Sequence, residues 1–251
     1  MRDWSRPQLV CVYRRRNADY VLPLVKATAA VGGASFLWAL DEPFADLKAW
    51  TVGEGSGQRL PLLNRLIARA ASTGPLVVAD DDISIASGSL GELLRIMRRG
   101  HLDLVQPAHA PSSHTSHGVT RVVPWAIARR TRFVEVGPLV AISQRLRPVV
   151  TPFPEEFEMG WGLDIVWSDL VAKGFGLGVI DRVTMEHHGA VAAEYGTGSA
   201  EKLVARELSR RGLDHMGSFT ENLAYWSARS RWDPRQRIAV WRSPEQLRPN
   251  K

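Results

Sequence analysis

The chain has 251 residues, of which 45% are hydrophobic and 23% charged, so it can bury a sizeable core and is not of a disordered type. Its net charge of +6 favours anionic partners, namely nucleotides, phosphorylated or lipid-linked substrates, membrane surfaces or nucleic acid. One cysteine excludes an internal disulfide, and neither a signal-peptide core nor a run of ~20 apolar residues is present, so we predict a cytoplasmic protein.

The first forty residues have a strand-helix-strand pattern. Residues 8–13 predict a strand that ends at Arg14, residues 19–31 have apolar side chains at helical spacing, and residues 35–40 predict a strand that ends at Asp41. Such a unit gives parallel strands, whose carboxyl ends lie at one edge of the sheet. Arg14 is therefore predicted to meet a phosphate or a base, and Asp41 a ribose or a base. The alternative for each is a solvated loop charge.

A glycine-rich loop follows a third short strand. Residues 49–52 predict this strand, residues 53–57 are the loop, and the helix after it carries Asn64. Backbone amides at such a helix start are good anion sites, but the loop fits neither the P-loop nor the full dinucleotide-binding fingerprint.

The most informative stretch is a buried strand that runs into three carboxylates. Residues 76–79 are apolar and are followed by Asp80, Asp81 and Asp82. Ligands of open α/β sheets collect at the carboxyl ends of the strands, and Mg²⁺ binds carboxylates together with substrate phosphates. The spacing of Asp80 and Asp82 suits a metal and a ribose. A solvated turn that caps the following helix is the alternative.

The middle of the chain predicts a helix over residues 88–99, a strand over 102–106 and an interrupted strand over 133–142. The polar loop between the two strands holds three histidines. They could ligate a metal, but their spacing fits no zinc template, so solvated side chains are expected. The histidines are His109, His114 and His117.

A second informative stretch surrounds a tryptophan flanked by two glycines. Residues 153–164 form this loop, which ends at Asp164 where a helix begins. Asp164 fits either a first-turn carboxylate favoured by the helix dipole or a general base beside a substrate hydroxyl. Residues 177–180 predict a last strand, and His187, beyond it, fits a third metal ligand or a solvated side chain.

The last sixty residues are predicted to form a helical C-terminal extension. Residues 201–211 predict a charged helix, and residues 219–241 alternate aromatic side chains with arginines. Such a segment suits a membrane interface or an anionic acceptor, and packing of the last helices onto the sheet is the alternative.

The order of these stretches resembles the GT-A glycosyltransferases, especially the bacterial family 2 type. The residues that carry the resemblance are FVEVGPLVAIS, PFPEEFEMGWGLD and GVIDRVTMEHHG, within residues 8–189. The resemblance implies a GT-A-like α/β domain with a mostly parallel central sheet flanked by helices. We predict that this domain covers residues 1–190 and that residues 191–251 pack on it.

The resemblance implies a nucleoside-diphosphate sugar as donor and Mn²⁺ or Mg²⁺ bridging its diphosphate. Asp80 is then similar to the acid that contacts ribose or metal, and Asp82 and His187 to metal ligands. Asp81 is grouped with the nucleotide-binding residues. By position, Asp41 would read the base or ribose, and Asn64 would lie near the nucleotide.

The resemblance also implies a hexosyl transfer in which Asp164 is the base of an inverting mechanism. The family often has a Glu-Asp pair in this loop, whereas this chain has Trp161-Gly162-Leu163-Asp164. Glu155, Glu156, Glu158 and a retaining mechanism without a base therefore stay open. So do a sugar-phosphate nucleotidyltransferase and a non-catalytic nucleic-acid-binding protein, although no nucleic-acid motif is found. The acceptor is unknown, and an anionic or lipid-linked molecule at the membrane surface fits the charge.

Overall fold

The computed structural model describes residues 6–71, 73–115, 117–157, 159–189, 198–218 and 220–227. These residues form a ten-stranded mixed sheet flanked by helices. The strands are β1 (Gln8–Tyr13), β2 (Ala34–Ala39), β3 (Thr51–Glu54), β4 (Leu76–Ala79), β5 (Ile83–Ser87), β6 (Leu104–His109), β7 (Ala126–Thr131), β8 (Leu139–Ile142), β9 (Leu177–His187) and β10 (Asn222–Ser227). The helices are α1 (Ala18–Ala30), α2 (Arg59–Arg69), α3 (Leu90–Arg99), α4 (Arg147–Val150), α5 (Leu163–Ser168) and α6 (Gly198–Arg210).

The strand order is β10-β7-β9-β6-β8-β4-β1-β2-β3, and β5 pairs with β9 beside this path. Strands β3, β2, β1 and β4 are parallel, as are β6 and β9. Since β8 is antiparallel to both β4 and β6, the β6-β9 pair runs in the same direction as β1 and β4. The carboxyl ends of β1, β2, β4, β6 and β9 therefore share one edge of the sheet.

The inner strands form because their sequences suit burial on both faces. Every residue of β1, β4, β6 and β8 is buried, which is typical of central strands covered by helices on both sides. One core cluster packs α1 and α3 on one face, and a second packs α2 and α5 on the other. Cys11 is a buried core residue of β1, as its apolar surroundings predict.

A buried ion pair joins the second half of the sheet. The Arg129 guanidinium on β7 bonds the Asp181 carboxylate on β9 at 2.9 Å, and both side chains are at most 1% exposed. The same guanidinium donates to the Asn222 side chain of β10 at 3.0 Å. Breaking such a pair leaves an uncompensated buried charge, so Arg129 holds β7, β9 and β10 together.

Several elements differ from the predicted ones. Residues 133–138 are a loop, because Gly137-Pro138 interrupts the pattern, and only β8 remains of that strand. Strand β9 extends to His187, so this histidine ends a strand instead of following it. Strands β5, β7 and β10 were not predicted. In the C-terminal extension α6 is helical, but β10 joins the sheet as a strand because β7 provides an edge to pair with.

Among the helices of the described residues, none has both the length and the apolar character needed to cross a bilayer. The arginine- and tryptophan-rich segment predicted over residues 219–241 falls largely outside the described residues. Within it only residues 220–227 are described, and they contain β10.

Candidate functional site

The three consecutive aspartates after β4 point to three different partners. Asp81 turns inward, where its carboxylate accepts the backbone N–H of Arg14 at 2.7 Å. Burial raises the pKa of Asp81, although the Arg14 N–H and the Asn17 side chain act in the opposite direction. This contact ties the end of β4 to the end of β1, which is a structural use of Asp81.

Asp82 pairs with His187. The Asp82 carboxylate lies 3.2 Å from Nε2 of His187, because β5 pairs antiparallel with β9 and places Ile83 opposite His187. Burial alone would raise the pKa of Asp82, but the hydrogen bond and the charge of His187 lower it overall. Burial opposes a charged His187, yet Asp82 raises the pKa of His187 overall. Gly189 backs the pair, since a Cβ there would clash with the Asp82 carboxylate.

Asp80 is bound by an arginine that sequence reasoning did not single out. Arg59 opens α2, and its Nε donates to the Asp80 carboxylate at 2.7 Å. The same guanidinium donates to the backbone carbonyls of Met159 at 3.3 Å and Val136 at 3.4 Å. Burial raises the pKa of Asp80, although Arg59 counteracts it. Arg59 therefore links the aspartate turn to the loops that contain Val136 and Met159.

Asp164 lies in the first turn of the short helix α5, as predicted. The left-handed Gly162 (φ 87°) turns the chain into this helix, and the Asp164 carboxylate accepts the N–H of Ile165 at 2.8 Å. Burial raises the pKa of Asp164 from 3.8 to about 7, and the charge of Glu135 adds to this rise. A carboxylate that exchanges protons near neutral pH has the property that a general base requires.

Glu135 and His109 form the centre of a polar cluster beside these residues. Nε2 of His109 lies 2.8 Å from the Glu135 carboxylate, and Nδ1 of His109 lies 2.9 Å from Oγ of Ser113. The expectation of a solvated histidine at this position is wrong, because His109 ends β6 and is 1% exposed. Ser113 is 5% exposed, which keeps its hydroxyl from acting as a nucleophile toward solvent.

The sequence contained little signal for Glu135. It stands in a loop where neighbouring residues suggested a strand, and its partners come from distant segments. A lone glutamate in an apolar run was the one available indication.

The remaining predicted nucleotide residues have local partners. Asp41 accepts the backbone N–H of Arg15 at 2.8 Å and is exposed at the end of β2, so it lies on the predicted edge. Asn64 bonds the backbone of another loop through both ends of its amide. Its Oδ1 accepts the N–H of Phe153 at 2.7 Å, and its Nδ2 donates to the Phe153 carbonyl at 2.8 Å. Both ends of the amide therefore hold the loop that leads to Asp164.

Two of the other acids considered as base have less suitable surroundings. Glu155 is exposed and lies 3.3 Å from Nδ2 of Asn64, and Glu156 is exposed as well. Glu158 lies outside the described residues.

A divalent cation fits part of the predicted ligand set. Among the described residues, no group of three His, Cys, Asp or Glu side chains is arranged to hold a metal. Asp82 and His187 are adjacent and supply one oxygen and one nitrogen donor, whereas Asp80 is engaged by Arg59. Two protein donors suit an ion such as Mg²⁺ or Mn²⁺ that takes further oxygens from a substrate diphosphate.

Comparison with known proteins shows the fold of this chain. No model of a known protein family and no curated protein matches the sequence. A crystal structure of GalNAc-T7 with UDP, GalNAc and Mn²⁺ superposes with a TM-score of 0.58 and 11% identity, covering 81% of this chain and 48% of that one. The crystal structure of Staphylococcus aureus TarS 1-349 with UDP-GlcNAc superposes with a TM-score of 0.54 and 13% identity, covering 81% of this chain and 66% of that one.

This chain thus spans about half of the GalNAc-T7 chain and less than two thirds of the TarS fragment. At such low identity the likeness establishes the architecture. The predicted GT-A fold, an α/β sheet flanked by helices, is confirmed.

Proposed function

We propose that this protein is a glycosyltransferase that moves a sugar from a nucleoside-diphosphate sugar to an acceptor hydroxyl. One observation carries the proposal. The Asp82-His187 pair at the sheet edge and Asp164, a partly buried carboxylate whose pKa is raised to about 7, both lie within the electrostatic reach of Glu135. Transfer of a sugar from a nucleoside diphosphate to a hydroxyl requires ligands for a divalent cation and a base of this kind. Structures of the same fold with UDP or UDP-GlcNAc support the donor class.

Asp82 and His187 would hold a divalent cation, Mn²⁺ or Mg²⁺, together with the diphosphate. When bound, such an ion neutralises charge on the departing diphosphate. Asp80 would contribute in another way, since its pairing with Arg59 places a carboxylate and a guanidinium at the end of β4, close in sequence to Asp82. Asp41 and Arg14 lie at the carboxyl ends of β2 and β1, and we propose that they contact the nucleoside.

Asp164 would take the proton of the acceptor hydroxyl as that oxygen attacks the anomeric carbon. This role needs the carboxylate ionised, and desolvation makes it a stronger base than an exposed aspartate. Attack from the face opposite the leaving group inverts the anomeric configuration, so we propose an inverting mechanism. A retaining mechanism predicts that loss of the Asp164 carboxylate leaves turnover nearly unchanged.

The acceptor is proposed to be anionic or lipid-linked. The support is the excess of basic residues, which gives a net charge of +6. Such an acceptor would bring the protein to a membrane surface as a peripheral partner.

The test is calorimetry with UDP, GDP and dTDP, each with and without Mn²⁺. We expect one nucleotide to bind and to lose at least about tenfold in affinity without the ion, since carboxylates otherwise repel phosphates. Asp82→Ala should cause a similar loss, whereas Asp214→Ala, at an exposed turn beyond α6, should not.

Equal affinity with and without Mn²⁺ would refute the metal assignment. Binding of no nucleotide would refute the proposed function. A nucleotidyltransferase would instead consume a nucleoside triphosphate and release pyrophosphate.

A further inference from the structure

The cluster around Glu135 has one firmly held carboxylate oxygen. Oε2 of Glu135 lies 2.8 Å from Nε2 of His109, and Nδ1 of His109 lies 2.9 Å from Oγ of Ser113. Oγ of Ser113 also accepts the backbone N–H of His187 at 3.0 Å. If Nε2 carries the proton of His109, the hydrogen bonds from the His187 N–H through Ser113 and His109 all point toward Glu135. This series of hydrogen bonds ends at the Glu135 carboxylate and fixes its orientation.

The second oxygen of Glu135 is much less satisfied. This second oxygen is Oε1, and it is contacted by the hydroxyl groups of Thr115 at 3.4 Å and Thr120 at 3.2 Å. Each hydroxyl has one proton and a nearer acceptor, since Thr120 reaches the His117 carbonyl at 2.8 Å and Thr115 reaches Thr120 at 2.9 Å. Oε1 therefore keeps acceptor capacity, and the side chain is 14% exposed.

Glu135 lies near both the aspartate turn and the loop that carries the base. The next residue, Val136, gives its carbonyl to Arg59 and packs against Gly160, four residues before Asp164. The residue after that, Gly137, is so close to Asp80 that a Cβ would clash with the carboxylate. The charge of Glu135 also contributes, after burial, to raising the pKa of Asp164. Glu135 is thus close to the aspartate turn and to the loop that carries the base.

We propose that Oε1 of Glu135 accepts hydrogen bonds from hydroxyl groups of the sugar being transferred. This inference rests on the proposed function, in which the sugar must lie between the diphosphate and the acceptor hydroxyl. A carboxylate with one anchored and one available oxygen is preorganised to bind hydroxyl groups without losing its own side-chain entropy. Glu135 then selects a hydroxylated sugar, while Asp82 and His187 hold the diphosphate.

The experiment compares a nucleotide with its sugar derivative. Calorimetry in Mn²⁺ uses the nucleoside diphosphate that binds in the test above and its sugar nucleotides, for example UDP against UDP-GlcNAc. For Glu135→Gln we expect the affinity for the sugar nucleotide to fall about tenfold or more, as for loss of a hydrogen bond to a charged group. The affinity for the diphosphate alone should stay within about twofold.

Two further variants separate binding from folding. Glu135→Asp keeps the charge but withdraws the oxygen, so it should lose sugar affinity as well. Glu201→Gln removes an exposed carboxylate on α6 and should change neither affinity.

Equal losses for diphosphate and sugar nucleotide would mean that Glu135 only supports the fold, and no loss for either would also overturn the inference. If the wild-type protein binds no nucleotide, the proposed function has failed and the inference fails with it. If the wild-type protein binds a nucleotide and the variants keep the full difference in affinity between the sugar nucleotide and the diphosphate, only the inference fails.

Discussion

Asp164→Asn is expected to inactivate the protein and to stabilise its fold. The pKa of Asp164 rises from 3.8 to about 7 because the folded protein buries the carboxylate. At 1.36 kcal/mol per pKa unit, ionising this group in the folded state costs at most about 4 kcal/mol relative to the unfolded chain, because the side chain keeps some contact with screening solvent. Asparagine has the same shape, keeps an oxygen to accept the Ile165 N–H, and carries no charge.

The sign of the pH dependence follows from proton binding. Between the ordinary pKa of 3.8 and the folded pKa of about 7, the folded protein holds the proton and the unfolded chain does not. The stability that the protonated group provides is therefore complete below the lower value and is lost as the pH rises through about 7. Relative to wild type, Asp164→Asn should gain up to about 4 kcal/mol at about pH 8 and almost nothing at about pH 4.

The assay is urea denaturation of both proteins at several pH values, with the midpoint and slope of each transition. Transfer should fall by roughly a hundredfold to ten-thousandfold in Asp164→Asn, the range for loss of a general base. In wild type, kcat/KM should rise with pH through an apparent pKa of about 7. A stability difference that does not change with pH, or a less stable asparagine variant at about pH 8, would refute the reasoning.

Two further predictions concern side chains that hold loops of the site. Arg59→Lys keeps the charge beside Asp80 but loses the fork that holds the Met159 carbonyl, so turnover should fall about tenfold with diphosphate affinity within a few fold. Unchanged turnover in steady-state kinetics would show that the fork is dispensable. Asn64→Ala removes the hydrogen bonds to Phe153 and should lower the free energy of unfolding by about 1–3 kcal/mol, while calorimetry finds unchanged nucleotide affinity. A large loss of affinity at unchanged stability would instead support the predicted nucleotide contact.

The parallel α/β core and part of the site were predictable because they depend on local patterns, whereas the GT-A type was implied by the resemblance to that family. Apolar runs long enough for one strand, separated by helical periodicity, predict parallel strands whose carboxyl ends share an edge. The acids after β4 and the histidine of β9 follow from that rule, and the structure brings Asp82 and His187 together. The start of a helix just before Asp164 follows from the glycines that precede it.

The sequence by itself determined strands β1, β2 and β4 and the carboxylates that follow β2 and β4, because strand patterning and chain direction are encoded within a few residues. Only the tertiary structure decided which partner each polar group has. Asn64 meets Phe153 across 89 residues of sequence, and His109 meets Glu135 across 26. Many side chains are chemically able to form each such bond, and the packing of the strands selects one of them. The division of Asp80, Asp81 and Asp82 among Arg59, the β1 backbone and His187 arises in the same way, since three adjacent acids have equal hydrogen-bonding capacity until the surrounding segments are in place.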